Sequence, residues 1–290
     1  MSVRAESRTY DNLSTALEVT KNKQMKTVII GTGNLGKSIA KGLITTNAIT
    51  SLYLTKRNLN TIKEFEGYKN VFLTSNNSEA IENSDIIILA VQPAHLEQIL
   101  LEIKPLLKEN HIIISTITGF SIAKIEGIIE SDNFIIRAMP NTAIAVGKSM
   151  TCLCGNAKGL ERIKVAEAIF NRLGTSIVIP ESQMQAATVV CASGIAFWMR
   201  MIRATTQAAI QLGFDAKEAQ ELAMHTCDGA ANLLITTGNH PEQEIDKVTT
   251  PKGCTIEGLN EMEHQGLSSS LIQGMVTSYN KINTIKTEQL

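Results

Sequence analysis

The stretch Lys26-Thr-Val-Ile-Ile-Gly-Thr-Gly-Asn-Leu-Gly36 is a short β-branched strand that runs into the pattern Gly-x-Gly-x-x-Gly. The residues from Lys37 to Ile44 follow with helical spacing. This order is typical of a dinucleotide site, where Gly31 permits a tight turn, Gly33 admits the pyrophosphate and Gly36 lets the helix pack on the sheet. The helix N-terminus then binds phosphate through free N–H groups and its positive dipole end. A purely structural glycine turn is the alternative.

The second predicted strand, Ser51–Thr55, indicates which dinucleotide is bound. NAD-binding proteins usually place an Asp or Glu about twenty residues beyond the last glycine, on the ribose 2′-hydroxyl. This strand offers no acid and ends instead in Lys56 and Arg57. A guanidinium there can clamp a 2′-phosphate through two parallel hydrogen bonds, although an ordinary solvated basic pair is also consistent. We therefore expect NADP(H) to be preferred, with NAD(H) as the alternative cofactor.

Composition narrows the class of protein. The 290 residues include 27 basic and 28 acidic side chains, a balance that indicates no nucleic-acid partner. We see no apolar run of the 18 or more residues that span a membrane, so we expect no membrane association. The five cysteines lack metal-ligand spacing apart from Cys152-x-Cys154, which we interpret as structural, so we predict no metal site. Reduced thiols are typical of a cytoplasmic protein.

Strand and helix patterns alternate from residue 26 to about 180. Continuous Ile/Val/Leu runs, such as residues 86–91 and 112–114, are expected of parallel strands buried on both faces. The pattern predicts an α/β fold, an N-terminal Rossmann-type doubly wound sheet with its ligand crevice at the carboxyl ends of the strands. The predicted strands after the first two are Val71–Leu73, Asp85–Val91, His111–Ser115, Asn133–Ala138, Ser149–Cys154 and Thr175–Ile179.

After Pro180 the strand pattern disappears and an all-α domain is predicted. Its first helical stretch, Glu181–Gly213, is apolar most of the way round, with Arg200 and Arg203 as its charges before the end. Such a helix must be buried against more than one neighbour, which predicts a homodimer through this domain. We divide the chain into a polar extension (1–24), a dinucleotide-binding Rossmann domain (25–180) and a helical substrate-binding and dimerisation domain (181–290).

The chemical centre of the helical domain is predicted at residues 248–260, where a tight Pro/Gly turn opens into a helix. The backbone N–H groups of Gly253, Cys254 and Thr255, together with the helix dipole, suit a carboxylate. Thr255 adds a hydroxyl beside the bound acid, and Thr250 begins the turn. A simple helix cap is the alternative. The histidines at 225, 240 and 264 belong to no such motif and are interpreted as surface or capping residues.

These motifs together resemble the pyrroline-5-carboxylate reductases over about residues 25 to 285. The matching segments are the glycine loop, Leu89-Ala-Val-Gln-Pro93, Gly119 with its following Ile-rich helix, and Ile136-Arg-Ala-Met-Pro-Asn-Thr142. The most specific is Thr250-Pro-Lys-Gly-Cys-Thr-Ile-Glu-Gly-Leu259, which is similar to the family's Ser-Pro-Gly-Gly-x-Thr signature. The chain also departs from the family pattern at two places. Cys191-Ala-Ser-Gly-Ile-Ala-Phe197 stands where the family has Ser-Gly-Ser-Gly-Pro-Ala-Tyr, and Lys252 stands where it has a glycine. These differences affect the expected range of substrates.

The resemblance implies NADPH-dependent reduction of 1-pyrroline-5-carboxylate, a cyclic imine acid, to L-proline. It implies that Thr255 hydrogen-bonds the imine nitrogen while the preceding turn holds the carboxylate, and that dimers assemble into decamers. A related imine or oxo-acid reductase, or a catalytically silent NADP-binding protein, are the alternatives. The predicted cofactor-binding residues are Ile30, Gly31, Thr32, Gly33, Asn34, Leu35, Gly36, Thr55, Lys56, Arg57, Asn77, Ala90, Val91, Gln92, Pro93, Thr116, Ile117 and Thr118.

Overall fold

A computed structural model describes residues 26–47 and 49–288, without the side chains of 283–288; the predicted extension at 1–24 lies outside the described residues. Eight strands form one sheet in the order β3-β2-β1-β4-β5-β6-β7-β8. Strands β1 to β6 pair in parallel, β7 runs antiparallel to β6, and β8 is parallel to β7. The strands are β1 Lys26–Ile30, β2 Ser51–Thr55, β3 Val71–Thr74, β4 Ile86–Leu89, β5 Ile112–Ser115, β6 Phe134–Met139, β7 Ser149–Gly155 and β8 Gly174–Val178.

Twelve α-helices occur in the described residues, together with several short 3₁₀ helices and one π-helix, Thr188–Ser193. The first seven accompany the sheet and the last five follow the π-helix. They are α1 Asn34–Thr45, α2 Asn77–Glu82, α3 Pro93–Ile103, α4 Ile122–Ile129, α5 Ala157–Glu161, α6 Ile163–Phe170, α7 Met184–Ala187, α8 Gly194–Gln211, α9 Ala216–Thr237, α10 Pro241–Val248, α11 Cys254–His264 and α12 Leu267–Glu288.

Both faces of the sheet are covered, which explains the continuous apolar runs in the strands. On β1, Val28 and Ile30 pack with α2, α3 and α4, whereas Ile29 packs with α1 and α6 on the opposite face. Successive residues of a strand point to opposite faces, so a strand buried on both sides needs every position apolar. The prediction of a doubly wound α/β sheet followed by an all-α region is confirmed.

The chain divides into two compact units. The second unit is Ser193–Asn283, and the remaining described residues form the first. The boundary therefore falls inside the π-helix, later than the boundary after Pro180 that we predicted from the loss of strand pattern. That earlier boundary stays a prediction.

The helical stretch Glu181–Gln211 corrects our expectation about apolar runs. By length and composition alone, this 31-residue segment is long and apolar enough to cross a membrane. Only 22% of its most apolar window is buried inside the protein. No uninterrupted apolar run marks this segment in the sequence, because Thr, Ser, Gln and two Arg residues interrupt it. Exposed large side chains continue along the second unit, including Trp198, Met199, Leu212 and Ile235. This unit thus presents an apolar surface that the isolated chain leaves uncovered.

Candidate functional site

The glycine loop connects β1 to α1, and the three glycines have different surroundings. Gly31 has φ +92°, and a Cβ atom there would lie 2.5 Å from Val91 Cγ1. A Cβ on Gly36 would lie 2.6 Å from the carbonyl oxygen of Gly31, so helix α1 approaches the loop too closely for any side chain. Gly33, in contrast, has no heavy atom within 4 Å of such a Cβ. Gly31 and Gly36 are therefore required by the protein's own packing, whereas Gly33 leaves a space open.

That open space lies at the N-terminus of α1. Gly33 is the N-cap, and no side chain caps the helix. The first N–H groups of an α-helix have no intrahelical acceptor, so those of Asn34, Leu35 and Gly36 are available to an anion. The absence of a side chain at Gly33 lets a pyrophosphate come within hydrogen-bond distance of them. The loop therefore fits a dinucleotide.

Hydrogen bonds to strand β2 hold the loop in this shape. Both the backbone N–H and the hydroxyl of Thr32 donate to the carbonyl oxygen of Thr55, at 3.0 and 3.1 Å. The side chains of Ile30 and Thr32 are fully buried, and Thr55 is nearly so. Three of the predicted cofactor-binding residues thus shape the site without offering a side chain to a ligand.

Two cations follow β2, as the sequence predicted. Arg57 is exposed and Lys56 is half-buried, and neither forms an ion pair within the described part of the chain. Lys37 and Lys41 nearby are different, because both pair with Glu64, at 2.7 and 3.0 Å, and these two cations hold the pKa of the Glu64 carboxyl below its usual value. Unlike those lysines, Arg57 has no carboxylate partner among the described residues that a bound phosphate would have to displace.

The other strand ends contribute mainly backbone. Ala90 donates its N–H to Ile30 O, and Gln92 and Pro93 begin α3 with no side-chain cap. The hydroxyl of Thr116 is bonded to Leu89 O at 2.9 Å. The remaining side chains at these ends are Val91, half-buried against the core, Ile117, buried in it, and Thr118, whose hydroxyl lies 3.8 Å from Met139 Sδ.

Asn77 is a predicted cofactor residue whose side chain has a partner. It is the first residue of α2, and its amide donates to Glu102 Oε1 at 3.0 Å. A contact between this amide and a cofactor would compete with that hydrogen bond.

Asn141 is a polar residue at a strand end that we did not include among the site residues. It follows β6, and its side chain accepts from Ala143 N and donates to the carbonyl oxygen of Cys191 in the π-helix at 2.9 Å. Its own N–H bonds to Ser149 Oγ. The motif Met139-Pro-Asn-Thr142 could have indicated Asn141 as a site residue. The π-helix to which Asn141 donates its hydrogen bond has no recognisable sequence pattern.

In the second unit, the turn Thr250–Gly253 leads into α11. Gly253 N–H donates to Thr250 O at 2.9 Å, and Lys252 lies in the left-handed region with φ +58°. A Cβ on Gly253 would collide with the hydroxyl oxygen of Thr250, so any side chain there would force Thr250 to move. The Gly253 N–H that we expected to bind a carboxylate is therefore already used by the turn. The N–H groups of Cys254 and Thr255 remain available at the helix N-terminus.

The structure argues against the simple-cap interpretation of Thr255. The N-cap of α11 is Gly253, and no side chain caps this helix. Thr255 is half-buried, and its hydroxyl has no hydrogen-bond partner within residues 26–47 and 49–288. His240, in contrast, caps α10 in a reciprocal capping box with Gln243, as expected for a capping histidine.

Two family models match the chain. The first is described as pyrroline-5-carboxylate reductase dimerisation and matches residues 181–285. The second is described as NADP oxidoreductase coenzyme F420-dependent and matches residues 26–119.

Two curated relatives come from Dictyostelium discoideum. Pyrroline-5-carboxylate reductase 1 is 46% identical over 90% of this chain, which spans only 50% of that protein's length. Pyrroline-5-carboxylate reductase 2 is 40% identical over 92% of this chain and 94% of its own length.

A solved structure with a bound cofactor is among the similar ones. The Plasmodium falciparum pyrroline carboxylate reductase with NADP bound superposes with a TM-score of 0.81, at 25% identity, over 90% of this chain and 98% of its own. The Coxiella burnetii pyrroline-5-carboxylate reductase gives a TM-score of 0.83, at 28% identity, over the same shares of the two chains.

Proposed function

Because the chain belongs to the pyrroline-5-carboxylate reductase family, we propose that it reduces 1-pyrroline-5-carboxylate to L-proline, the last step of proline biosynthesis, with NADPH. The observation that carries this proposal is that the relationship runs through both units. Each unit also retains its part of the chemistry, the open glycine loop in the first and the turn before α11 in the second.

The first unit binds the cofactor. Bound NADPH supplies a hydride to the imine carbon of the substrate. The N–H groups at the start of α1 hold the pyrophosphate, and the guanidinium of Arg57 holds the 2′-phosphate bidentately. The backbone at the ends of β4 and β5 forms the rest of the cofactor surface. NAD(H) lacks the 2′-phosphate and is expected to bind more weakly.

The second unit binds the substrate. The free N–H groups of Cys254 and Thr255, with the dipole of α11, hold the carboxylate of the cyclic imine. The hydroxyl of Thr255 orients the imine nitrogen. A cyclic imine is itself basic and arrives protonated, so hydride addition to its carbon gives the amine without a strongly acidic side chain. Orientation then supplies most of the acceleration.

The uncovered apolar surface of the second unit supports a homodimer through this unit, and a decamer is the larger assembly proposed for it. We propose that a second copy, rather than a lipid bilayer, covers this surface, and the match to a dimerisation family model supports this proposal. The five cysteines, none of them in a disulfide within the described structure, support a cytoplasmic location.

The test is NADPH oxidation with 1-pyrroline-5-carboxylate, followed by identification of the product as L-proline. We expect a higher kcat/KM with NADPH than with NADH. The six-membered analogue, 1-piperideine carboxylate, serves as the competing substrate, since a related imine reductase would prefer it. Absence of proline formation by the folded, NADPH-binding protein would overturn the proposal.

A further inference from the structure

Two thiols of the first unit lie side by side. Cys152 Sγ and Cys191 Sγ are 3.7 Å apart, although 39 residues separate them in the chain. Cys152 belongs to β7 and is 4% exposed, whereas Cys191 belongs to the π-helix and is half-buried. Cys191 is therefore the more accessible residue of the pair, and Cys152 is the more enclosed one.

Both cysteines contact residues at or just after the end of β6. Cys152 is paired with Met139, the last residue of that strand. The carbonyl oxygen of Cys191 accepts from Asn141, two residues further along. Both thiols thus belong to a small structure in which the π-helix, β7 and the end of β6 contact one another.

The two thiols also differ in acidity. The hydrogen bond between the two thiols lowers the pKa of Cys191 below that of an ordinary cysteine, which favours its thiolate. The same hydrogen bond, together with burial, raises the pKa of Cys152 and keeps it protonated. A more accessible, more acidic thiol beside a buried, protonated one is the arrangement of an attacking and a resolving cysteine.

We propose that Cys191 and Cys152 form a site of reversible oxidation by small hydroperoxides. The Cys191 thiolate attacks the terminal peroxide oxygen, the O–O bond breaks, and the departing alkoxide or hydroxide takes up a proton, leaving a sulfenic acid on Cys191. Cys152 Sγ then attacks Cys191 Sγ and forms the disulfide, while the leaving hydroxide takes the Cys152 proton as water. Two thiols are oxidised and one peroxide is reduced.

The disulfide requires only a local movement. A bonded S–S distance is about 2.05 Å, so the sulfurs must approach by about 1.7 Å. Rotation of the two side chains and a small shift of the π-helix supply this, because a π-helix is less regular than an α-helix and frequently occurs at functional sites. A low-molecular-weight dithiol restores the pair by exchange.

The test follows the thiols of the full-length protein by mass spectrometry. The protein is treated with hydrogen peroxide, denatured, and labelled with N-ethylmaleimide. We expect a cross-linked peptide pair containing Cys152 and Cys191, and its loss after treatment with dithiothreitol. In Cys152→Ser, we expect dimedone to trap the sulfenic acid on Cys191, because no resolving thiol remains.

Cys227→Ser is the matched control, since Cys227 is also half-buried and no sulfur partner for it occurs in the described residues. It should form the 152–191 link at the wild-type rate. Failure of the wild-type protein to form the link, when iodoacetamide shows Cys191 to be reactive, would overturn the proposal. So would an absence of Cys191 reactivity in the folded protein. Neither readout depends on reductase activity.

Discussion

At the residue scale, the glycine loop shows two different reasons why a position carries no side chain. Gly31 and Gly36 are confined by the protein's own atoms, whereas the position of Gly33 is open and its φ of −83° suits any residue. The first kind of glycine serves folding, and the second serves a ligand. Substitution can tell the two kinds apart.

We expect Gly33→Ala to fold normally but to raise the KM for NADPH by about ten- to hundred-fold. Its methyl group would occupy the space through which the pyrophosphate approaches, at a cost of roughly 1–3 kcal/mol. Gly31→Ala is the matched variant, and steric collision with Val91 should lower its free energy of unfolding by a similar roughly 1–3 kcal/mol. Chemical denaturation and initial-rate kinetics measure both. Equal destabilisation by the two variants would contradict the distinction.

Arg57→Ala tests the choice of cofactor. The guanidinium is exposed and unpaired within the described chain, so its removal costs nothing in folding. Loss of a charge-assisted contact is worth roughly 1.5–3 kcal/mol, which predicts a ten- to hundred-fold rise in the KM for NADPH and little change for NADH. Lys41→Ala, which breaks an ion pair with Glu64, is the control and should change neither constant. An equal effect of Arg57→Ala on both cofactors would remove Arg57 from the 2′-phosphate site.

Thr255→Ala tests the proposed contact with the imine. It deletes a hydroxyl that has no partner in the described protein but leaves the backbone amides of the turn. We expect kcat/KM for the imine to fall by about ten- to thousand-fold while the affinity for NADPH is unchanged. Thr255→Ser should recover much of the activity. Full activity in the alanine variant, with its fold confirmed by circular dichroism, would show that the hydroxyl has no role.

At the scale of elements, an ion pair between a buried arginine and a partly exposed glutamate links the sheet to a helix on one face. Arg137 of β6 is 6% exposed, and its guanidinium bonds Glu181 Oε1 at 3.0 Å. The same oxygen accepts from Ile122 N–H at the start of α4, at 2.7 Å. Glu181 therefore joins a central strand to the first turn of a covering helix.

We expect Glu181→Ala to lower the free energy of unfolding by roughly 1–3 kcal/mol, because it leaves a buried guanidinium without its partner at a site that water partly reaches. Glu181→Gln should cost less, since its amide oxygen still accepts both hydrogen bonds. Glu126→Ala offers a control, because Glu126 accepts a single hydrogen bond, from Asn156, at the surface. Urea denaturation measures all three. Equal stability of the alanine variant and the wild-type protein would show that the pair is replaceable.

Regular elements were predictable from sequence, whereas the details that depend on tertiary contacts were not. The strand predicted at 85–91 forms as Ile86–Leu89, because apolar periodicity marks the buried centre of a strand better than its ends. The amino-acid composition of the π-helix does not distinguish it from an α-helix. Cys191, which contacts Asn141 and Cys152, lies within this π-helix. The glycine loop was predictable because its spacing reflects backbone geometry. The use of Gly253 N–H by its own turn was not, because the pattern shows where a helix begins but not which carbonyl occupies its amides.

At the scale of the whole molecule, the exposed apolar surface of the second unit predicts assembly. We expect the protein to elute as a dimer or larger species at micromolar concentration and not to associate with neutral lipid vesicles. Ile235→Glu, at a side chain that is 79% exposed in the second unit, should weaken the assembly. Val146→Glu, at a side chain 74% exposed in the first unit, is the matched control and should not. Light scattering that shows a stable, active monomer would contradict the prediction.

The strand order described above also bears on how the chain is made. Strand β1 lies between β2 and β4, so its second neighbour is translated only after residues 51–82, with β2, β3 and α2, have been made. Throughout that interval, a nascent chain therefore carries β1 with the N–H and C=O groups of one edge unpaired. Unpaired edges of this kind can pair with other chains. Ribosome-bound intermediates that end before residue 86 should accordingly be the species that chaperones bind, and slower translation through residues 51–85 should lengthen that exposure.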